Sequence, residues 1–328
     1  MDERTETTVA ELSEREILRR ILARVGTGSA VVGPGDDAAV LAPAGQIVAT
    51  VDTLVHGPDF RLAWTGGFDL GWKAAAVNLA DVAAMGARPT ALLVALAMPE
   101  DTTIGFVEAV ADGLRAACDE LAPGCAVEGG DLTVSDTLTV AVTALGELDG
   151  PAVLRSGARE GDTVAVAGDL GGAARGLRLL FTRFRDADAH PVPVDPQAVT
   201  DAEREDIAAQ LRPHPPIALG SRAAAAGARA MMDVSDGLVL DATRLADASG
   251  VTIALEAAPL GPDAEVALSG GEDHALLATF PAHVDLPEGF RRIGTVRARG
   301  EHPVTVDGAS PADRGGWDPY ADWDAGRG

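Results

Sequence analysis

Residues 31–53 read VVGPGDDAAVLAPAGQIVATVDT, and the rest of the chain is organised around them. Glycines on either side of Pro34 allow a tight turn and close approach to a ligand, and they deliver Asp36 and Asp37 to the mouth of a strand. The apolar segments Ala38 to Leu41 and Ile47 to Val51 predict a buried strand pair joined by the turn APAG. That connection is expected to return Asp52 to the neighbourhood of Asp37. Carboxylates gathered so closely raise one another's pKa unless a cation lies among them, and an all-oxygen set suits Mg²⁺ with substrate phosphates. The same residues also fit an Asp-rich turn before a solvated strand end, and this stretch alone does not choose.

At 328 residues the chain exceeds the usual span of one core, so two domains are expected, residues 1–150 and 151–328. The net charge of −24 argues against binding nucleic-acid backbones or anionic membrane surfaces, both of which need a basic face. A nucleotide held through metal ions stays compatible. Cys118 and Cys125 are the only cysteines, too few for a disulfide framework. With an acidic, polar N-terminus and no long apolar run, a soluble cytoplasmic protein is expected. All but one of the 26 basic residues are arginine; the exception, Lys73, is singled out for that reason.

Helical spacing of apolar residues over 8–25 predicts an amphipathic helix. A loop rich in Gly and Trp follows the strands, and Phe68 to Met85 reads as a helix stopped by Gly86. On it Lys73, Val77 and Asp81 share one arc. A strand at 91–98, a helix at 103–121, a short strand at 125–128 leading into Gly129-Gly130-Asp131, and a long strand at 137–148 complete a sheet covered by helices on one side. After a hinge at 150–162, strands at 163–167, 230–233, 251–255 and 275–280 alternate with helices at 171–184, 201–211, 216–227 and 237–249. This predicts a C-terminal α/β sandwich beside the α+β N-terminal half. Residues 185–200 read as an exposed loop. Trp317, Tyr320 and Trp323 suggest a tail that docks.

Acidic residues recur where glycines or strand ends present them: Asp36, Asp37, Asp52, Asp81, Asp131, Asp233, Asp236, Glu272 and Asp273. No Walker loop, protein-kinase set, G-x-S-x-G elbow or H-E-x-x-H pattern occurs. What remains is a carboxylate-and-glycine site suited to Mg²⁺ ions around phosphates.

GPGDDAAVL, VDTLV, WKAAAVNLADVAAMGARP, EGGDLT, LRSGAREGD, DVSDGL and ALSGGEDH, in this order, resemble the thiamine-monophosphate kinase family. It shares a superfamily with aminoimidazole ribonucleotide synthetase and selenophosphate synthetase. The resemblance implies a homodimer joined through its N-terminal sheets, and Mg²⁺-dependent conversion of ATP and thiamine phosphate to ADP and thiamine diphosphate. It implies Mg²⁺ ligands at Asp37, Asp52, Asp81, Asp131, Asp233 and Asp236, with oxygens from the Thr50 side chain and the Val51 backbone. Gly130, Asp131, Arg155 and Ser235 would contact the nucleotide. Glu272 and Trp317 would lie against thiamine, and Lys73 would reach a phosphate. The chain departs from the family where Asp59 stands at a substrate histidine position, with His56 three residues earlier. The selenophosphate branch normally carries a reactive Cys in its N-terminal segment, and none precedes Cys118 here. A non-catalytic nucleotide-binding regulator is the rival outside enzymes.

Overall fold

The computed structural model describes residues 7–35, 37–311 and 314–317; Asp36, Tyr320 and Trp323 lie outside them. The N-terminal half orders as α1 (Glu14–Val25), β1 (Gln46–Val55), α2 (Gly67–Ala84), β2 (Arg88–Met98), α3 (Ile104–Leu121), β3 (Ala126–Val134) and β4 (Thr139–Leu148). Its sheet runs β1-β4-β2-β3, so β1 and β3 form the two edges. Only β2 and β3 are parallel.

The period-two rule sorts β1 cleanly. Val48, Thr50, Asp52 and Leu54 turn inward, whereas Ile47 and Val51 stand 45% and 60% exposed on the outer face. Helix α2 is buried along nearly its whole length because its small residues let α3 approach closely. A Cβ at Gly71 would sit 2.0 Å from the Val110 carbonyl oxygen, and one at Gly113 2.1 Å from that of Phe68. Backbone contact of this kind excludes any side chain there.

The predicted strand at Ala38 to Leu41 does not form. That segment makes an isolated bridge, Val32 with Val40, and β1 instead pairs antiparallel with β4. Local turn chemistry favours a hairpin, but the long alternating strand β4 offers β1 a ten-residue partner. Gly129-Gly130-Asp131 likewise lies inside β3 and forms no turn.

The C-terminal half contains β5 (Thr163–Ala167), α4 (Gly172–Arg183), α5 (Asp201–Leu211), α6 (Ile217–Ala225), β6 (Ala230–Val234), α7 (Leu238–Ser249), β7 (Val251–Leu255), α8 (Ala264–Ser269), β8 (Ala275–Phe280), β9 (Phe290–Ala298) and β10 (Val304–Val306). The six strands run β10-β7-β9-β5-β8-β6. Leu245 and Ala246 of α7 cover one face with Val166, Ile253 and Leu277. Ala223 of α6 and Ala84 of α2 pack with Met231, Leu276 and Phe280 on the other. Helix α2 therefore serves both cores. The loop 185–200 is anchored at several points: the Trp64 indole N–H donates to the Val192 carbonyl at 3.0 Å, Arg204 donates to the Pro196 carbonyl at 3.2 Å, and Val192, Val194 and Val199 pack against the cluster of Trp64, Leu180 and Phe184.

Candidate active site

The end of α2, the inner face of β1 and the loops after β6 and before β8 meet in one acidic cluster. Thr50 Oγ1 donates to Asp81 Oδ2 at 2.7 Å, and the Asp52 N–H donates to Asn78 Oδ1 at 3.0 Å. The other end of the Asn78 amide is tied to the Ala74 carbonyl at 2.9 Å, so one helical turn aims both Asn78 and Asp81 at β1. From the other half comes Asp233, on the fully buried strand β6, with its Oδ2 3.1 Å from His274 Nδ1. The Glu272 N–H donates to the Ser235 carbonyl at 2.8 Å and the Trp317 N–H to the Asp236 carbonyl at 2.9 Å. Trp317 thus sits beside the cluster with its ring exposed.

Lys73 does not present itself to an open phosphate site. Its ammonium, 3% exposed, is 2.5 Å from Glu272 Oε2 and donates to the Gln210 carbonyl at 3.3 Å. Glu272 and His274 hold left-handed backbones, with φ of 72° and 54°. Such angles are uncommon outside glycine and persist where surrounding contacts over-determine them.

The electrostatics are those of crowded acid. Burial, then the nearby Asp233 charge, pushes the Asp81 carboxyl up to about 6. Burial also raises Asp52, against the nearby His274 charge. For Glu272, burial acts upward but the Lys73 charge prevails and holds the carboxyl below its usual range. Burial works against a charged His274, yet its bond to Asp233 leaves the imidazole pKa raised. Asp236 is held by Arg244 Nη1 at 2.5 Å. The same guanidinium nitrogen binds Asp241, whose Oδ2 accepts from the Asp236 and Gly237 N–H groups. Burial raises Asp241 to about 6.

A second group lies elsewhere. Asp37, Gly130 and Asp131 border a cleft of 860 Å³ walled by apolar residues of α1, α3 and the β2–β3 edge. Because β1 and β3 are opposite edges of a four-stranded sheet, this group and the Asp52 cluster are separated by roughly 14 Å of sheet. Asp52 therefore does not return to Asp37. Arg155 is also apart: Leu154 bridges Ala230 at the start of β6, whereas Ser235 follows its end, roughly 16 Å away along an extended strand. Asp59 lies at the rim of the cluster, with Oδ2 accepting the Val55 N–H at 2.7 Å; burial raises its carboxyl and the Glu272 charge adds to the rise. The Val51 side chain points to the opposite face, which leaves only its main chain for the site.

Sequence reading missed Asn78, Asp241, Arg244 and His274. Asn78 is one turn before Asp81, and Asp241 and Arg244 lie one and two turns after Gly237, so helical spacing was the available signal. Nothing in the sequence pairs Lys73 with Glu272, which are far apart in the chain.

Thr50, Asp52, Asp81 and Asp233 form a hard-oxygen donor set, and the raised carboxyls of Asp52 and Asp81 fit a divalent cation such as Mg²⁺. Among the described residues, the trio whose ligand atoms lie within 4.8 Å of one another is Asp186, Asp188 and His190, exposed on the 185–200 loop. Two N–H groups of that turn already bond to Asp186 Oδ1. The carboxylates of Asp52, Asp81 and Asp233 do not form such a close trio.

Residues 35–148 match the family described as AIR synthase related protein, N-terminal domain. A thiamine-monophosphate kinase of Mycobacterium tuberculosis is 38% identical over 97% of this chain and 94% of its own. The crystal structure of thiamine-monophosphate kinase from Stenotrophomonas maltophilia K279a aligns with a TM-score of 0.75 at 38% identity, covering 92% of this chain and 98% of that one. A structure described as AaThiL complexed with AMPPCP and TMP aligns with a TM-score of 0.71 at 34% identity, covering 85% and 90%. With this fold, this acidic site and relatives matched along nearly their full length, the chain belongs to the thiamine-monophosphate kinase family.

Proposed function

We propose that this chain transfers the terminal phosphoryl group of ATP to the phosphate of thiamine monophosphate, giving thiamine diphosphate and ADP, with several Mg²⁺ ions at the site. The observation that carries this reading is the partly buried set Thr50, Asp52 and Asp81 with the buried Asp233 at the junction of the two halves. The acceptor oxygen is already ionised at neutral pH, so no strong general base is required. It attacks the γ-phosphorus as the bond to the β,γ-bridging oxygen breaks, and the electron pair leaves with ADP. Mg²⁺ bound by these carboxylates would supply charge neutralisation between two anionic substrates. Glu272, Trp317 and Asp59 are assigned to the thiamine side; Gly130, Asp131, Ser235 and Arg155 to the nucleotide; and Asp37, Asp131, Asp236 and the Val51 carbonyl to the metal shell. Residues 1–150 are assigned as the metal-nucleotide and pairing domain and 151–328 as a domain contributing both nucleotide and substrate contacts. We assign the protein to the cytoplasm, in keeping with two free cysteines.

We also infer a homodimer. The exposed Val51 and Val134 sit on the two edge strands of the N-terminal sheet. Pairing two sheets would cover these edges and bring Asp37, Gly130 and Asp131 of one copy toward the Asp52 cluster of the other. Light scattering on the purified protein checks this; a monomer at micromolar concentration counts against it. For the reaction, the protein is incubated with ATP, Mg²⁺ and thiamine phosphate, and thiamine diphosphate is followed by chromatography, with thiamine and EDTA as controls. Metal-dependent product from the monophosphate only is expected. No product with ATP binding intact would leave the nucleotide half standing and remove the acceptor.

A further inference from the structure

Arg244 is a cation inside the acidic cluster that the reaction chemistry leaves without a task. Its Nη1 donates to Asp236 Oδ2 at 2.5 Å and to Asp241 Oδ1 at 2.6 Å, so one nitrogen bridges two carboxylates. The two acids differ in freedom. Asp241 is fully buried, and its second oxygen accepts the N–H groups of Asp236 and Gly237 at 3.0 and 3.2 Å. It cannot turn without stranding two main-chain donors. Asp236 is clamped through its backbone instead: its N–H goes to Asp241, and its carbonyl accepts the Trp317 N–H at 2.9 Å. Its carboxylate, 26% exposed, bonds among the described residues to Arg244 alone, and the Arg244 side chain is itself 39% exposed. The Asp236 side chain is therefore the part of this triad that can rotate away.

A carboxylate in crowded acid needs a counter-charge, and Arg244 provides one for Asp236 where no metal ion does. When Asp236 turns to a divalent ion, Asp241 keeps the guanidinium paired, so neither of them is left as a lone charge. A guanidinium suits this part because it stays ionised and carries several donors, so losing one acceptor leaves its bond to the other intact. The retained positive charge then stands close to the ion and opposes it. We propose that Arg244 is a resident cation that holds Asp236 in the metal-free site and yields it to Mg²⁺ while staying paired with Asp241, so that it sets how much Mg²⁺ the site requires. Arg244 is thus a positioning residue that acts through Asp236. The assignment rests on the kinase reading above.

The test is calorimetric titration of Mg²⁺ into the protein with a non-hydrolysable ATP analogue, paired with urea unfolding in EDTA, on the wild type, Arg244→Gln and Arg244→Lys. For Arg244→Gln two opposite results are expected. The urea midpoint in EDTA falls, because Asp236 and the buried Asp241 lose their counter-charge. Mg²⁺ nevertheless binds more tightly, by roughly three- to tenfold, because a partly exposed positive charge no longer opposes a divalent ion. Arg244→Lys keeps the charge and should bind Mg²⁺ as the wild type does. A merely structural role would weaken Mg²⁺ binding along with the fold; that result, an unchanged affinity in Arg244→Gln, or an equal gain in Arg244→Lys overturns the proposal. If Arg244→Gln does not fold, a crystal structure of the wild type with Mg²⁺ and the analogue decides. Arg244 on Asp241 with Asp236 turned to the ion supports the proposal, and Arg244 still on Asp236 overturns it. A wild type that takes up no Mg²⁺ and makes no thiamine diphosphate would overturn the kinase reading and this proposal with it, whereas normal uptake and turnover with no gain in Arg244→Gln removes only Arg244.

Discussion

Replacing Asp81 by Asn is expected to make the metal-free protein more stable and the enzyme inactive. In the metal-free fold, burial and the Asp233 charge hold the Asp81 carboxyl at about 6 against an ordinary 3.8. A folded pKa above the unfolded one contributes stability that is fully present below pH 3.8 and is lost as the pH rises through 6. Above pH 6 the carboxylate is ionised in both states, and the difference converts to roughly 3 kcal/mol of cost to the fold. Asn cannot ionise, and its Oδ1 still accepts from Thr50, so part of that cost disappears. Losing the charge-assisted character of the Thr50 bond takes back roughly 1 kcal/mol. Urea unfolding in EDTA at pH 8 should therefore show Asp81→Asn more stable than wild type by roughly 1–3 kcal/mol, and at pH 5 the gap should shrink by about half. Adding Mg²⁺ with ATP should stabilise the wild type by mass action and the variant much less, while turnover falls at least about a hundredfold. A variant less stable than wild type at pH 8 without metal, or one that keeps the full Mg²⁺ response, would refute the reasoning.

Other substitutions probe different parts. Lys73→Met keeps the apolar stem but leaves Glu272 without its cation; the unfolding free energy from urea titration should fall by roughly 1–3 kcal/mol, and KM for thiamine phosphate should rise more than KM for ATP. An unchanged acceptor KM would detach Glu272 from the substrate. Gly71→Ala drives a Cβ to 2.0 Å from the Val110 carbonyl oxygen, so α2 and α3 have to separate; a loss of roughly 1–3 kcal/mol is expected by thermal unfolding, and a neutral result would mean the helices are not in backbone contact. Val51→Glu places a charge on the outer edge-strand face, and light scattering should show a shift toward monomer if that face pairs.

Much of this protein was legible without coordinates because its signals are local. The strands 163–167, 251–255 and 275–280 and the helix 201–211 appear at their expected bounds, since each is bounded by turn residues and carries one clear period. The acidic residues were legible as well, since glycines and strand ends announce them. What the sequence could not settle is partnership. Ala38 to Leu41 reads as a strand on composition, yet a strand exists only where another supplies its hydrogen bonds, and β4 took β1 instead. The order of strands then put Asp37 and Asp131 at one edge and Asp52 at the other, dividing a constellation that looks continuous in the chain. Lys73 shows the same limit: its rarity marked it, but only the packing of α2 against the loop before β8 determined that its charge meets Glu272. The β-bulge at Glu128, where Leu92 pairs with Val127 and Leu93 with Gly129, is a further case, because a bulge is a property of two strands in register and cannot be seen in either alone.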